Sequence, residues 1–430
     1  MIIYVVKSGD TLTRIANEYG VNINNLAADN GLNINDALVV GQALAVQVPL
    51  VSHRVQRGET LTSIARRYGT TAIQLLRNNF ILGGIDRLTT NQEIVISYEN
   101  ENKTKTFSVN SYAYPYIATS LLREQLPYLT YFTPFTYGIS ESGSLVRLSD
   151  EELIRIAKEY GISVLLHMST LTEGGNFSSQ RASLVFENPD IQDMLIDEIL
   201  QTTEEKGYGG IDVDFEFINP EEKYDYIRFL QELRIRANAE GLPLFSAVAP
   251  KTSDAQRGVL YEGHDYAGIG AAANYVLLMT YEWGYTFGPP LAVAPLNRVR
   301  EVVNYALTRI SRDKIFLGVP TYGYDWTLPY VRGGAGAPSI SPVEAVNLAR
   351  QYGAEIQYDE TAQAPWFRYT DDDGRLHEVW FEDVRSISAK LNMASELGLY
   401  GIGYWNSMRE FPQNWVTLNA NYNIRNLSLQ

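Results

Sequence analysis

Beyond residue 103 the chain alternates eight times between a short apolar run and a longer mixed segment, and no other feature restricts its fold as much. The runs are FSVNSYAY (107–114), YLTYFTPF (128–135), GISVLLHMS (161–169), GGIDVDFEF (209–217), PLFSAVAP (243–250), YVLLMTYEW (275–283), KIFLGVPTYGY (314–324) and LYGIGYWN (399–406). Between them lie segments with helical spacing of apolar residues, such as DEELIRIAKEYG (150–161), PDIQDMLIDEILQTTEEKG (189–207) and PEEKYDYIRFLQELRIRANAEG (220–241). Strands separated by helices pair in parallel, because the crossover returns the chain to the same end of the sheet. Eight such units over about 330 residues fit an α/β fold, the TIM (β/α)8 barrel. The spacing between the seventh and eighth runs exceeds one helix. Residues 327–382 contain PWFRYTDDDGRLHEVWF, two alternating arms around Asp373 and Gly374, which is a hairpin signal. An α+β insertion walling the top of the barrel is therefore expected at about 327–382. Its DDDG run lacks the ligand spacing and late glutamate of an EF-hand loop.

The fourth run carries an acid at every second position. In a strand, side chains alternate between faces, so Ile211, Val213, Phe215 and Phe217 point one way while Asp212, Asp214 and Glu216 point the other. A solvated edge would mix Thr, Lys, Glu and Ser, whereas three bare carboxylates in file repel one another. Within a barrel this parity sends the apolar residues to the helices and the acids inward, with Glu216 nearest the carboxyl end, where TIM-barrel active sites sit. Desolvation and mutual repulsion keep a proton on at least one of the three and raise the pKa of the donor. A proton-bearing carboxylic acid at a barrel mouth is what glycosidic cleavage requires.

The first hundred residues repeat themselves. YVVKSGDTLTRIANEYGVNINNLAADN (4–30) aligns with HRVQRGETLTSIARRYGTTAIQLLRNN (53–79), and VVGQALAV (39–46) with LTTNQEIVI (88–96) after a one-residue shift. Each unit reads as strand, helix, helix, strand. Leu12, Ile15, Ala16 and Tyr19, or Leu61, Ile64, Ala65 and Tyr68, form one helix face, and Gly20 or Gly69 ends the helix. These βααβ units resemble LysM domains in their SGDTL and RGETL turns, their Tyr-Gly helix ends and Asn30 or Asn79. The resemblance implies binding of N-acetylglucosamine-containing glycans in a shallow groove near Gly9, Asp10, Thr11 and Leu12, and near Gly58, Glu59, Thr60 and Leu61. The expected domains are 1–49 and 50–98 for the repeats and 104–430 for the barrel, with a polar linker at about 99–103.

Composition narrows the chemistry. With no cysteine there are no disulfides and no thiolate ligands, and the four histidines (His53, His167, His264, His377) are scattered singly, without an HExxH pair. Each reads as a structural or surface histidine, and neither metal nor cofactor is expected. A net charge of −15 argues against nucleic acid or anionic membranes as partners. The second repeat is locally basic, with Arg54, Arg57, Arg66, Arg67, Arg77 and Arg87, which reads as a solvated helix face or a contact to an anionic polymer. There is no apolar run long enough for a membrane span, and MIIYVVKSGDTL lacks the features of a signal peptide.

GGIDVDFEF resembles the DxxDxDxE signature of family-18 glycoside hydrolases, the chitinase-like enzymes, with Asp212, Asp214 and Glu216 on three of its four acids and Gly209 in place of the first. MTYEWG (279–284) is similar to the family's sixth-strand M-x-Y-D segment, aligning Met279 and Tyr281 and placing Glu282 where aspartate is usual. GIGYWN (401–406) puts Trp405 at the eighth-strand tryptophan. The resemblance implies a sugar ring resting on Trp405 within a pocket that includes Met279 and Glu282. No second carboxylate is evident across the site, and Asp214 is too near Glu216 in the strand to attack from the opposite face of the sugar. The family uses the substrate's own 2-acetamido oxygen as nucleophile. Glu216 is thus implied as general acid and then base, Asp214 as orienter of the acetamido N–H and stabiliser of the oxazolinium, Asp212 as its proton-sharing partner, and Tyr281 as donor to the acetamido oxygen. Repeats joined to such a barrel resemble the cortical-fragment-lytic enzymes of spore-forming bacteria, N-acetylglucosaminidases acting on spore-cortex peptidoglycan and reaching the coat or cortex from the mother cell. A cytoplasmic location is equally consistent with the missing leader. The alternatives are a chitinase of the same fold and a non-catalytic, lectin-like wall protein, although Glu216, which such lectins commonly lose, is present here.

Overall fold

The computed structural model describes residues 1–99, 103–172 and 175–427. Most of the expected linker, residues 100–102, lies outside the described residues. Eight parallel strands form the barrel: Thr106–Ala113, Tyr131–Pro134, a third in two pieces (Ser163–Val164 and Leu166–Ser169), Ile211–Asp214, Leu244–Val248, Tyr275–Leu278, Ile315–Pro320 and Gly401–Trp405. The first piece of the third strand pairs with the second strand and the second piece with the fourth, which closes the ring. Leu165 N–H donates to Phe132 O at 2.9 Å and Leu166 N–H to Gly210 O at 3.0 Å, so the break between the pieces loses no ladder bond.

Two apolar layers fix the acids between them. Outside the barrel, Ile211, Val213 and Phe215 are fully buried, and Phe215 stacks on both Tyr226 and Phe229 of helix Lys223–Ala239 with ring centroids 5.6 Å apart. Inside it, Tyr131, Phe245, Tyr275, Phe316 and Tyr400 cluster at or beside the first residues of their strands, an aromatic plug at the amino ends. That plug closes the interior to water from below and leaves the carboxyl ends as the approach. The expected parity of the fourth run holds through Phe215 and fails at Phe217. The regular strand stops at Asp214, so beyond Glu216 it is Ile218 that joins the helix-facing core, while Phe217 is only half-buried.

The insertion is a five-stranded antiparallel sheet with helix Pro342–Gln351. Its order is Ser339–Ile340, Gly323–Leu328, Leu376–Trp380, Ala364–Thr370, Gln357–Asp359, so it begins within the stretch read as the end of the seventh strand. The expected hairpin is present, and Gly374 turns it at φ +79°. Asp371 accepts from the backbone N–H groups of Asp373 (3.0 Å) and Arg375 (2.8 Å), so this acid of the DDDG run serves the turn.

Each repeat folds around its own small core. Thr11 and Thr60 cap the first helices, and Gly20 and Gly69 end them in the left-handed region at φ +66° and +67°. Tyr19 is partly buried against the first core, but Tyr68 is exposed, its hydroxyl 3.2 Å from His53 Nδ1. Asn30 and Asn79 act as staples. Asn30 donates to Leu26 O (2.8 Å) and Ala45 O (2.9 Å) and accepts from Ala45 N–H (2.7 Å), and Asn79 makes the same three bonds with Leu75 and Val95.

Both repeats are packed onto the barrel. Gln413 donates to Asn30 Oδ1 (2.9 Å) and Ala43 O (2.7 Å), and Ile356 N–H donates to Val40 O (2.9 Å). From the second repeat, Arg77 donates to Pro127 O and accepts at its carbonyl from Tyr128 O–H (3.0 Å), while Asn419 donates to Asn78 (2.9 Å). Arg77 therefore belongs to an internal junction, neither a solvated face nor a polymer contact. Gly41 and Gly84 mark how close the approach is. A Cβ on Gly41 would lie 1.9 Å from Ile356 O, and one on Gly84 1.8 Å from Arg123 O, whereas Gly20 has open space around it. All three have positive φ, so Gly20→Ala reports backbone strain alone, about 1 kcal/mol. Thermal unfolding of the intact chain should show Gly41→Ala and Gly84→Ala losing at least about twice as much stability as Gly20→Ala. Equal losses at all three would mean that the repeats are not clamped to the barrel.

Candidate active site

The fourth strand delivers Asp212 and Asp214 to the barrel interior, and Glu216 follows two residues on, just past the strand end. His264 secures that exit. Its Nδ1 accepts from Ala249 N–H (2.9 Å), so its Nε2–H donates to Phe215 O (2.9 Å), tying the carbonyl before Glu216 to the end of the fifth strand.

Asp212 is fully buried and accepts from Tyr112 O–H of the first strand at 2.7 Å, while its Oδ1 has no hydrogen-bond partner. Burial pushes its pKa up to about 7 against the opposing pull of the Tyr112 bond. Asp214 is buried too, with Oδ1 unpartnered and Oδ2 3.8 Å from His167 Nε2. Burial, then the charges of Glu216 and Asp212, hold its pKa well above the usual carboxylate range. Glu216 is pushed up to about 6, by burial first and Glu282 second. Desolvation and repulsion thus hold all three above the ordinary carboxylate range, and Glu216, at about 6, gives up its proton at lower pH than Asp212, at about 7.

Above Asp212 opens a cavity of about 270 Å³ whose lining includes Asp214, Glu216, Met279, Tyr281, Glu282 and Trp405, together with Pro250, Tyr261 and Trp283. Every barrel residue singled out in the sequence except Asp212 thus faces one space, and Asp212 lies beneath it. Trp405 is braced edge-on by Phe135 at 5.0 Å and Tyr114 at 6.2 Å and contacts Tyr112 at 5.8 Å, which leaves its ring partly open to the cavity. Burial, and next the nearby charge of Asp214, raise the Tyr281 pKa well above its ordinary value, so its hydroxyl is a donor at any working pH. Glu282 sits at φ +67°, in the left-handed region that a non-glycine residue occupies only when held there. Its carboxylate accepts from Tyr322 and, at 3.1 Å, from Tyr324 at the start of the inserted sheet. The insertion thereby fixes one wall of the cavity.

Tyr112, Tyr322 and Tyr324 were not among the residues read from sequence, and His167 was read there only as a structural or surface histidine. Tyr112 and His167 carry a detectable signal, since each occupies an inward parity position on its strand, and His167 is in register with Asp212. Tyr322 and Tyr324 lie where strand parity gives way to the insertion. All four histidines are buried and hydrogen-bonded. Among the described residues no group of three or more His, Cys, Asp or Glu could hold a metal ion.

At the repeats, Gly9, Thr11, Gly58 and Thr60 are exposed. Thr11 and Thr60 spend their hydroxyl oxygens on helix caps. Asp10 accepts from Tyr4 O–H and Lys7 N–H, and Glu59 from Gln56 N–H beside His53. The expectation for Leu12 and Leu61 needs correction: at 2% and 0% exposure their side chains fill the repeat cores and are closed to a surface ligand.

The chain matches the Glycosyl hydrolases family 18 over residues 126–410 and the LysM domain over 4–47 and 53–97. It is 41% identical to the cortical fragment-lytic enzyme of Bacillus subtilis (strain 168) over 430 residues, covering 99% of each chain. Among solved structures it is similar to the spore cortex-lytic enzyme SleL of Bacillus cereus (37% identity, TM-score 0.84) and that of Bacillus megaterium QM B1551 (37%, TM-score 0.83), in each case over 99% of this chain and 98% of the other.

The burial of Asp212 has a pH signature. With a folded pKa raised to about 7 from an ordinary value of 3.8, its neutral form supports the fold fully below about pH 4, and that support is lost as pH rises through 7. Asp212→Asn, which keeps an acceptor for Tyr112, should therefore unfold at a higher temperature than the wild type at pH 8, with the advantage gone at pH 4. A pH-independent difference would place the carboxyl in a solvated setting.

Proposed function

This chain belongs to glycosyl hydrolase family 18 and carries LysM domains, and from that premise we propose that it hydrolyses N-acetylglucosaminyl bonds of peptidoglycan, with spore cortex as the natural polymer. The observation that carries the mechanism is the convergence of Glu216, Asp214, Tyr281 and Trp405 on one cavity. The polymer is supported by relatives described as cortical fragment-lytic and spore cortex-lytic enzymes across almost the whole chain. Those same relatives support a place in the spore. The LysM repeats supply affinity for N-acetylglucosamine-containing glycan.

The residues act in sequence. The indole face of Trp405 carries the apolar C–H surface of the sugar ring. Tyr281 O–H donates to the acetamido oxygen and Asp214 accepts from the acetamido N–H, which holds that oxygen beneath the anomeric carbon. As the oxygen attacks, Glu216 gives its proton to the departing glycosidic oxygen, leaving an oxazolinium on the sugar and a carboxylate on Glu216. Glu216 then takes a proton from water, the water opens the ring from the face the leaving group left, and configuration is retained. Glu282 offers no competing nucleophile, since Tyr322 and Tyr324 occupy its carboxylate. With Glu216 pushed up to about 6, the donor is charged at rest in a growing share of molecules above that pH, so activity falls on the alkaline side.

Glu216→Gln should lower kcat by about a hundredfold or more while leaving glycan binding intact, and Asp214→Asn should also cripple turnover. The polymer is tested by digesting defined cortex muropeptides beside chitin oligomers and identifying the new reducing end by mass. A new N-acetylglucosamine end from muropeptides is expected, with no cleavage of de-N-acetylated glycan. Rapid cutting of the deacetylated polymer would remove the acetamido nucleophile, and turnover of chitin alone would replace the polymer.

A further inference from the structure

One buried titratable side chain borders the acid file without a role in the steps above. His167 lies on the third strand, is 1% exposed, and places Nε2 3.8 Å from Asp214 Oδ2. Its other nitrogen, Nδ1, is 2.6 Å from Thr136 Oγ1. The Thr136 hydroxyl is itself 3.0 Å from Tyr137 O and 3.2 Å from Ser169 Oγ. A hydroxyl has one proton, and a carbonyl can only accept. With that proton given to Tyr137 O, the Thr136 oxygen accepts from Nδ1–H, and Nε2 is left as a lone pair aimed at Asp214. The rings of Phe135 (4.9 Å) and Tyr112 (5.6 Å) enclose the imidazole, and burial pushes its pKa down to about 3, so it stays neutral. The titratable groups around it are Asp212 and Asp214 of the fourth strand and Tyr112 of the first.

A neutral acceptor beside a carboxyl suits only the protonated acid. We propose that His167 is a positioning residue for Asp214: a turn of the carboxyl that closes the 3.8 Å gap lets Nε2 accept the Asp214 O–H and brings the other oxygen into the cavity to receive the substrate's acetamido N–H. This inference rests on the assignment of Asp214 made above. Asp214 Oδ1 has no hydrogen-bond partner at rest, so no existing bond opposes that turn.

The test separates the two ring nitrogens. His167→Gln carries its amide to about the position of Nε2, facing Asp214, whereas His167→Asn reaches only the Nδ1 position, facing Thr136. On short soluble N-acetylglucosamine oligomers, Gln should retain kcat within about threefold, while Asn should lose about tenfold or more in kcat at unchanged KM. The alkaline limb of the Asn variant should also move to lower pH, because Asp214 without its acceptor ionises earlier. Thr136→Val removes the bond that sets the tautomer and should shift the limb the same way, which decides the matter should both His167 variants fail to fold. Equal activity of Gln and Asn, an effect on KM alone, or an unmoved pH profile in Thr136→Val would overturn the proposal. Glu216→Gln serves as control: survival of activity there overturns the catalytic reading itself, whereas a dead Glu216→Gln beside indifferent His167 variants overturns only the role of His167.

Discussion

The barrel depends on burying three carboxyl groups side by side in a space closed from below by aromatic rings. Such a file is tolerable only if its members share protons instead of charge, since each ionised acid raises the cost of ionising the next. Asp212 satisfies part of this through Tyr112, Asp214 borders an imidazole, and Glu216 stands at the edge of the cavity. The gradient runs from a fully enclosed acid to one that reaches the cleft. In the proposed reaction, that gradient puts an electrostatic liability to use as a proton donor beside the cavity.

Much of this was legible in the sequence because parity and alternation are strong signals. The eight strands follow from apolar runs of strand length separated by helical spacing, and the inward direction of Asp212, Asp214 and Glu216 follows from their two-residue period. Parity ceased to help where the strand ended, which is why Phe217 and Ile218 exchange places. Neighbours such as His167 and Tyr112 were harder, because one polar residue in an apolar strand is ordinarily a satisfied core group. Only its register against the acid file makes it part of a site.

The junction between repeats and barrel left no sequence signature. Gln413, Asn419, Gly41 and Gly84 show no period, and their contacts span most of the chain. Reading by repeat and motif divides such a protein into separate modules, and it has no means of detecting surfaces buried between them. The insertion is similar. Its hairpin was visible, but its grip on Glu282 through Tyr322 and Tyr324 arises only when two distant segments meet.

A clamped junction has a geometric consequence for work on a long polymer. Repeats on a loose tether could hold one strand while the barrel sampled many bonds within reach. Here Gln413, Ile356 and Asn419 lock the repeats to the barrel frame, so the span between any glycan held there and the cleft is set by the fold. Such an enzyme measures its substrate like a fixed caliper, and advancing to the next bond demands letting go of the last hold.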